Sequence, residues 1–347
     1  MTRYFLFLIG LAPILLLCAC ATNTLPGAAE QGNSARIQAL LHEGVAVDQR
    51  GGVWGETALM IAARKGHLGI AKALVRAGAN VNAKSKHGDT AVMAAAWKCH
   101  AQVIDFLLGH GADVNVKNEI FGSTPLLLAS ECNDVAVVKT FLKKVANVNE
   151  KNNEGLTALS AATRKGHSDI VQTLLEANAN TEESSEKGGT PLYEAAYKGY
   201  DSIVAMLIEK GADINIQSNS TDLWTPLMIA VAEGHSTTAT LLLKAGAKVN
   251  ATNQQGRSAL IFAAWYGYDE IVEMLLKHGA DPNIVPNDNE GMTALIAATK
   301  KGYREIVAML LKSGADPNLR AKQGKAALGY ANDDIGKLLK DAGANGD

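Results

Sequence analysis

Eight histidines and four cysteines are the side chains of this 347-residue chain best suited to general-base, nucleophilic or metal chemistry. Their spacing argues against all three. His67, His100, His167 and His235 recur at one interval or its multiples, and His42, His110 and His278 each stand one or two residues before the glycine that ends a second helix; only His87 escapes both patterns. No pair sits at ligand spacing with a carboxylate partner, so neither a metal site nor a general base is assigned. Phosphate-binding loops, C-x-x-C pairs and G-x-S-x-G elbows are absent beyond residue 20. The expectation is a protein that is not an enzyme, with no catalytic residue, no metal and no cofactor. Composition agrees with a soluble globular class: 47% hydrophobic, 20% charged, and a formal net charge of −2.

Two of the cysteines belong to the amino-terminal segment. Met1-Thr2-Arg3 is followed by an apolar run from Tyr4 to Leu17 and then by Cys18-Ala19-Cys20, the layout of a secretory leader. As a helix that run would reach only about 21 Å at 1.5 Å per residue, short of the roughly 30 Å hydrocarbon core. A cleaved leader is therefore expected over residues 1–19, with 20–24 as a short linker and the remaining domain over residues 25–345. Leu17-Cys18-Ala19-Cys20 also resembles the bacterial lipobox. That resemblance implies lipidation of Cys20 and, since Ala21 is not Asp, an anchor in the outer membrane facing the periplasm; an ordinary leader giving a soluble periplasmic or secreted protein is the alternative.

The elements that must position everything else come from a repeat. Thr190-Pro191-Leu192 opens a short helix as N-cap and first turn, Gly199 breaks it, Ile203, Val204, Leu207 and Ile208 lie at helical spacing on a second helix, and Gly211 ends that one. Matching anchors are Thr57, Thr90, Thr124, Thr157, Thr225, Ser258, Thr293 and Ala326, at intervals of about 33 residues. Between a cap at residues 25–48, which lacks a Thr anchor, and a shortened cap after Ala326, eight full units are counted, about ten in all. Asn332-Asp333-Asp334 can cap a last helix from Ile335 to Asp341. Leu223 and Val145 replace expected glycines, and Cys99 replaces the glycine between two helices, where it should carry strain.

A unit of turn plus two helices with T-P-L or T-A-L near its start resembles the ankyrin-repeat family, over about nine-tenths of the chain. The resemblance implies an all-α repeat solenoid of helix-turn-helix units with β-turn or hairpin loops, forming one elongated domain. In that family, loop tips before the anchor and residues seven and eight places after it line a concave face. Here those positions hold Trp54, Trp97, Trp224 and Trp265, with Tyr197, Tyr266, Ile120 and Phe121. They also hold Arg64, Lys65, Lys98, Arg164, Lys165, Lys198, Lys300 and Lys301 against Glu131 and Glu233. The aromatic content and positive row suggest a protein partner with an acidic, partly apolar surface. The plain alternatives are rings packed on neighbouring loops and lysines on a solvated helix face. By resemblance the function is a non-enzymatic interaction module, monomeric, membrane-bound through its lipid and not a nucleic-acid binder. A second reading is an immunity or inhibitor protein that occludes a periplasm-delivered toxin such as a lipase; a third is a small-ligand platform, which an open groove disfavours.

Cys99 and Cys132 lie in corresponding turns of adjacent units, offset by one position, and a disulfide between them is weighed against two reduced, buried thiols. Equivalent points on stacked helices are about 8–10 Å apart, wider than the roughly 4.4–6.8 Å between Cα atoms that a disulfide allows. The offset and the lost glycine would have to close that gap.

Overall fold

The computed structural model describes residues 23–185, 189–219 and 221–345. The expected leader and Cys20 lie outside them. No helix among the described residues is long and apolar enough to cross a membrane. Contacts divide the chain into two compact units, residues 1–153 and 154–347.

In the first unit, helices alternate as first and second members of each repeat: α1 (Leu25–Glu30), α2 (Ser34–His42), α3 (Ala58–Lys65), α4 (Leu68–Arg76), α5 (Ala91–Trp97), α6 (Ala101–Gly109), α7 (Pro125–Ser130) and α8 (Val135–Lys143). First helices pack on first helices and second on second, α1 on α3 on α5 on α7 and α2 on α4 on α6 on α8. The strands β1 (Arg50–Gly51) and β2 (Glu56–Thr57) form a small antiparallel hairpin before α3. The second unit repeats the scheme with α9 (Ala158–Lys165), α10 (Ser168–Glu176), α11 (Pro191–Lys198), α12 (Asp201–Glu209), α13 (Pro226–Ala232), α14 (Ser236–Lys244), α15 (Ala259–Tyr266), α16 (Asp269–Lys277), α17 (Ala294–Lys301) and α18 (Arg304–Lys312). It closes with a 3-10 turn (Ala327–Tyr330) and α19 (Asp333–Asp341).

Local chemistry explains why each helix starts and stops. The hydroxyls of Thr57, Thr124, Thr157, Thr190, Thr225 and Thr293 each accept the backbone N–H three residues on, satisfying a donor that the helix leaves orphaned. The amino-terminal cap corrects the sequence reading: its anchor is not missing, because Thr24 Oγ1 accepts Gly27 N–H at 3.1 Å. At the other end Asn332 does cap the last helix, through Ile335 N–H at 3.0 Å, but the helix starts at Asp333 rather than Ile335.

Helices shorter than ten residues are stable only through packing, and here the apolar positions bury between layers. Ala62, Ala63 and Leu74 in the first unit and Ala195, Ala196 and Leu207 in the second are fully buried. The histidines and tyrosines of the inter-helix turns belong to this packing. His100 lies across Gly66, and Tyr200, His235 and Tyr303 lie across Gly166, Gly199 and Gly267, so close that a Cβ on any of these glycines would fall 2.6–2.9 Å from the ring. His100 Nε2 and His235 Nε2 also bond the carbonyls of Arg64 and Tyr197, both at 3.1 Å. Their recurrence at the repeat interval thus has a structural cause.

Candidate functional site

On the loop tips ahead of each first helix, and in the last turn of that helix, lie side chains that escape burial between layers. The tips are held to one another by single backbone bonds. In the first unit Lys86 N–H donates to Trp54 C=O at 3.0 Å, Glu119 N–H to His87 C=O at 2.8 Å and Asn153 N–H to Phe121 C=O at 2.8 Å. In the second, Gln254, Asn287 and Lys322 N–H groups donate to the carbonyls of Asp222, Gln255 and Glu290, each at 3.0 Å. Backbone-linked tips lose little freedom when a ligand binds, which is what pre-organises a binding surface.

On the first unit's tips, Val53, Trp54, Ile120 and Phe121 are all exposed, at 76%, 43%, 47% and 50%. Trp54 also rests on the His87 ring, with centroids 4.5 Å apart. Trp224 behaves differently. It stacks at 4.4 Å on Phe262 of α15, itself nearly buried, so much of its ring already serves packing within the second unit. Leu223 beside it is exposed and left-handed, at φ 54°, as is Val145 at φ 64° in the first unit.

At the helix ends, the row of cations is less free than the sequence suggested. Arg64 pairs with Glu30 at 3.0 Å and Glu56 at 3.4 Å, and Lys65 pairs with Glu30. Arg164 pairs with Glu194 at 3.3 Å and Lys300 with Glu290 at 3.9 Å. Four of the eight cations counted from sequence therefore have carboxylates of their own chain. Lys98, Lys198 and Lys301 instead lie over rings: Trp97 at 3.8 Å, Tyr197 at 4.8 Å and Trp265 at 4.2 Å. Lys165 ends α9, and Tyr266, 47% exposed, stacks at 5.9 Å on Tyr268. Sequence reasoning missed Glu30, Glu56, Glu194 and Glu290 as partners, and it missed Phe262, Lys325 and Tyr330 as neighbours of the rings and lysines it named.

Two titrations bear on chemistry. Burial, helped by Glu194, Tyr197, Glu233 and Asp222, pushes the Tyr193 phenol up to about 12, so it stays protonated at neutral pH and is no nucleophile. Burial also pushes the Asp288 carboxyl up, but Gly291 N–H, the Arg257 guanidinium and Glu290 N–H outweigh it and hold that group below the usual carboxylate range. A folded pKa lower than the unfolded value of about 3.9 gives a contribution fully present above that value and lost as the pH falls through the folded one. Asp288→Asn is therefore expected to lower thermal stability at neutral pH and to flatten the acid limb of the melting-temperature profile; parallel acid limbs for the two proteins would disprove the linkage.

Among the described residues no group of three His, Cys, Asp or Glu side chains could hold a metal ion. Two grooves on the second helices, one around Ser236, Thr240, Glu273 and Met274 and one around Leu41, Ala73 and Arg76, are open to solvent. The candidate disulfide cysteines are joined: Cys99 and Cys132 are bonded, with Cα atoms 6.2 Å apart. Cys99 is left-handed at φ 59°, the strained position expected from its place in the repeat.

Family models described as ankyrin repeats in three copies match residues 25–118, 126–218, 216–286 and 253–321, and a model for ankyrin repeats in many copies matches residues 95–142. No curated protein matches the chain.

Proposed function

We propose a function from one premise: this chain belongs to the ankyrin-repeat family, whose repeats generally mediate protein–protein interaction and are typically not enzymes. It is a non-enzymatic module that binds another protein through its loop tips and first-helix ends. The observation that carries this reading is a set of large apolar and aromatic side chains, Trp54, Trp97, Ile120 and Phe121 in the first unit and Tyr266 in the second, each left 43–50% exposed. Aromatic groups on rigid, partly desolvated ground are the usual anchors of interfaces. Lys98 over Trp97 in the first unit, and Lys198 over Tyr197 and Lys301 over Trp265 in the second, favour a partner carrying carboxylates.

Photocrosslinking in cells from positions 97 and 121, followed by mass spectrometry of the adducts, tests this. A discrete protein adduct is expected. Trp97→Ala with Trp265→Ala should weaken that partner by on the order of 2 kcal/mol or more, roughly a thirtyfold rise in Kd, without change in the fold; unaltered affinity in a folded double variant would move the site elsewhere. If the adduct is a secreted hydrolase that loses activity on binding, the role is inhibition.

The location follows from Leu17-Cys18-Ala19-Cys20, supported by a disulfide that suits an oxidising compartment. A lipid on Cys20 holds the module at the outer membrane on the periplasmic side. Cys20→Ser should abolish palmitate labelling and membrane partitioning, and labelling that survives the substitution would remove the proposal.

A further inference from the structure

The last three repeats of the second unit bring five side chains together. Lys301 lies 4.2 Å from the centroid of Trp265. Lys300 lies between two rings, 5.7 Å from that of Trp265 and 5.9 Å from that of Tyr330, and Lys325 lies 5.7 Å from Tyr330. All three lysines are exposed, and both rings are half-buried. From this arrangement we infer that the Trp265–Lys300–Lys301–Lys325–Tyr330 cluster is the docking site for an acidic peptide segment of the partner protein, with apolar residues between its carboxylates. The inference rests on the protein-binding reading above and adds which surface of the second unit is used and by what chemistry.

Charge balance is the first argument. Two arginines of this unit are met by carboxylates of the chain itself: Arg164 by Glu194, and Arg257 by Asp288 and Glu290. Among the described residues no carboxylate lies within ion-pair distance of Lys301 or Lys325. The one near Lys300, Glu290, stands 3.9 Å away and is shared with Arg257 at 3.7 Å. The carboxyl end of α17 adds only about half a negative charge. Three ammonium groups thus face one shared carboxylate and half a charge, which leaves a local positive excess held in place on ring faces.

The kind of anion follows from the groups present. A phosphate-rich polymer is best met by planar guanidinium forks or by backbone N–H groups at a helix start. The cluster has neither: its cations are all lysines, and it lies at the end of α17. Compact ammonium charges separated by the faces of an indole and a phenol suit carboxylates spaced along an extended chain, with apolar side chains laid on the rings.

The test uses the full chain and a synthetic twelve-residue peptide of alternating acidic and leucine or phenylalanine residues, titrated calorimetrically at low and at 0.3 M salt. Binding at low salt that weakens with salt is expected. It should fall tenfold or more in Lys301→Glu/Lys325→Glu, and the milder Lys301→Gln/Lys325→Gln should retain an intermediate affinity. Lys244→Glu/Lys312→Glu makes the same change in net charge on second helices and should alter binding less than twofold. Unfolding curves that match the parent's certify each variant. No binding at low salt, equal loss in the second-helix variant, or unchanged binding in the Lys301/Lys325 variant overturns the inference, as does tighter binding of polyphosphate or single-stranded RNA of equal charge. A protein captured by photocrosslinking while the peptide fails would refute this site and leave the interaction function standing; absence of any captured protein would refute that function itself.

Discussion

Gly199→Val is expected to destabilise the second unit by about 3–5 kcal/mol, well beyond the effect of a typical surface substitution. Gly199 sits at φ 66°, where a β-branched residue is strained by roughly 1–2 kcal/mol. The larger part comes from the neighbouring repeat. A Cβ at residue 199 would lie 2.6 Å from His235 Nδ1, against a ring held on its other side by the Tyr197 carbonyl. Forcing that ring away costs a hydrogen bond of about 0.5–1.5 kcal/mol and overpacks the turn by about 1–3 kcal/mol. A double-mutant cycle with His235→Ala separates the two parts, because removing the ring relieves the clash but leaves the backbone strain. Favourable coupling of about 1–2 kcal/mol is expected; strict additivity in chemical denaturation would show that the ring is not what the valine meets.

This glycine and its ring illustrate what could be read from sequence. Thr190, Pro191, Gly199 and Gly211 act within one or two turns of themselves, so the 33-residue spacing located caps, breaks and helix faces without knowledge of tertiary contacts. Thr24 escaped because it lies next to the leader, where the repeat pattern has only one flank to confirm it. The candidate surface was legible by position but not by partner. A repeat fixes where Arg64 and Arg164 emerge, yet not that Glu30 and Glu194, thirty or more residues away, turn toward them. The same holds for Trp224, whose position alone suggested a free ring and whose rotamer places it on Phe262. Long side chains choose among several rotamers by what the neighbouring repeat offers, and that choice is invisible in periodicity. The charge of the row was therefore overcounted, because four of its eight cations have carboxylates of their own chain.

Replacing Cys99 and Cys132 by Ser is expected to cost the first unit about 3–4 kcal/mol, the chain-entropy value for a bridge spanning a sequence separation of 33 residues. The bridge belongs to a set of coordinated changes. Where other repeats have a glycine covered by the ring of the next turn, this one has Cys99, and the residue that would carry the ring is Asp134, whose carboxylate instead caps α8 through Ala136 and Val137 N–H groups. Losing the ring makes room for the thiol, and Cys132, whose Sγ also lies 3.3 Å from Ala96 C=O, fills it. The left-handed backbone at Cys99 is thus maintained by a covalent bond in place of a glycine's freedom. Trp97 and Lys98 immediately precede that residue, so their placement depends on it. Cys99→Gly alone should therefore cost less than the double serine variant, since it removes the bond and the strain together. Reduction of the parent protein should lower the denaturation midpoint of the first unit and increase hydrogen exchange at residues 96–100 and 130–134. A midpoint unmoved by reductant, or exchange unchanged in those turns, would show that packing holds the turn without the bond.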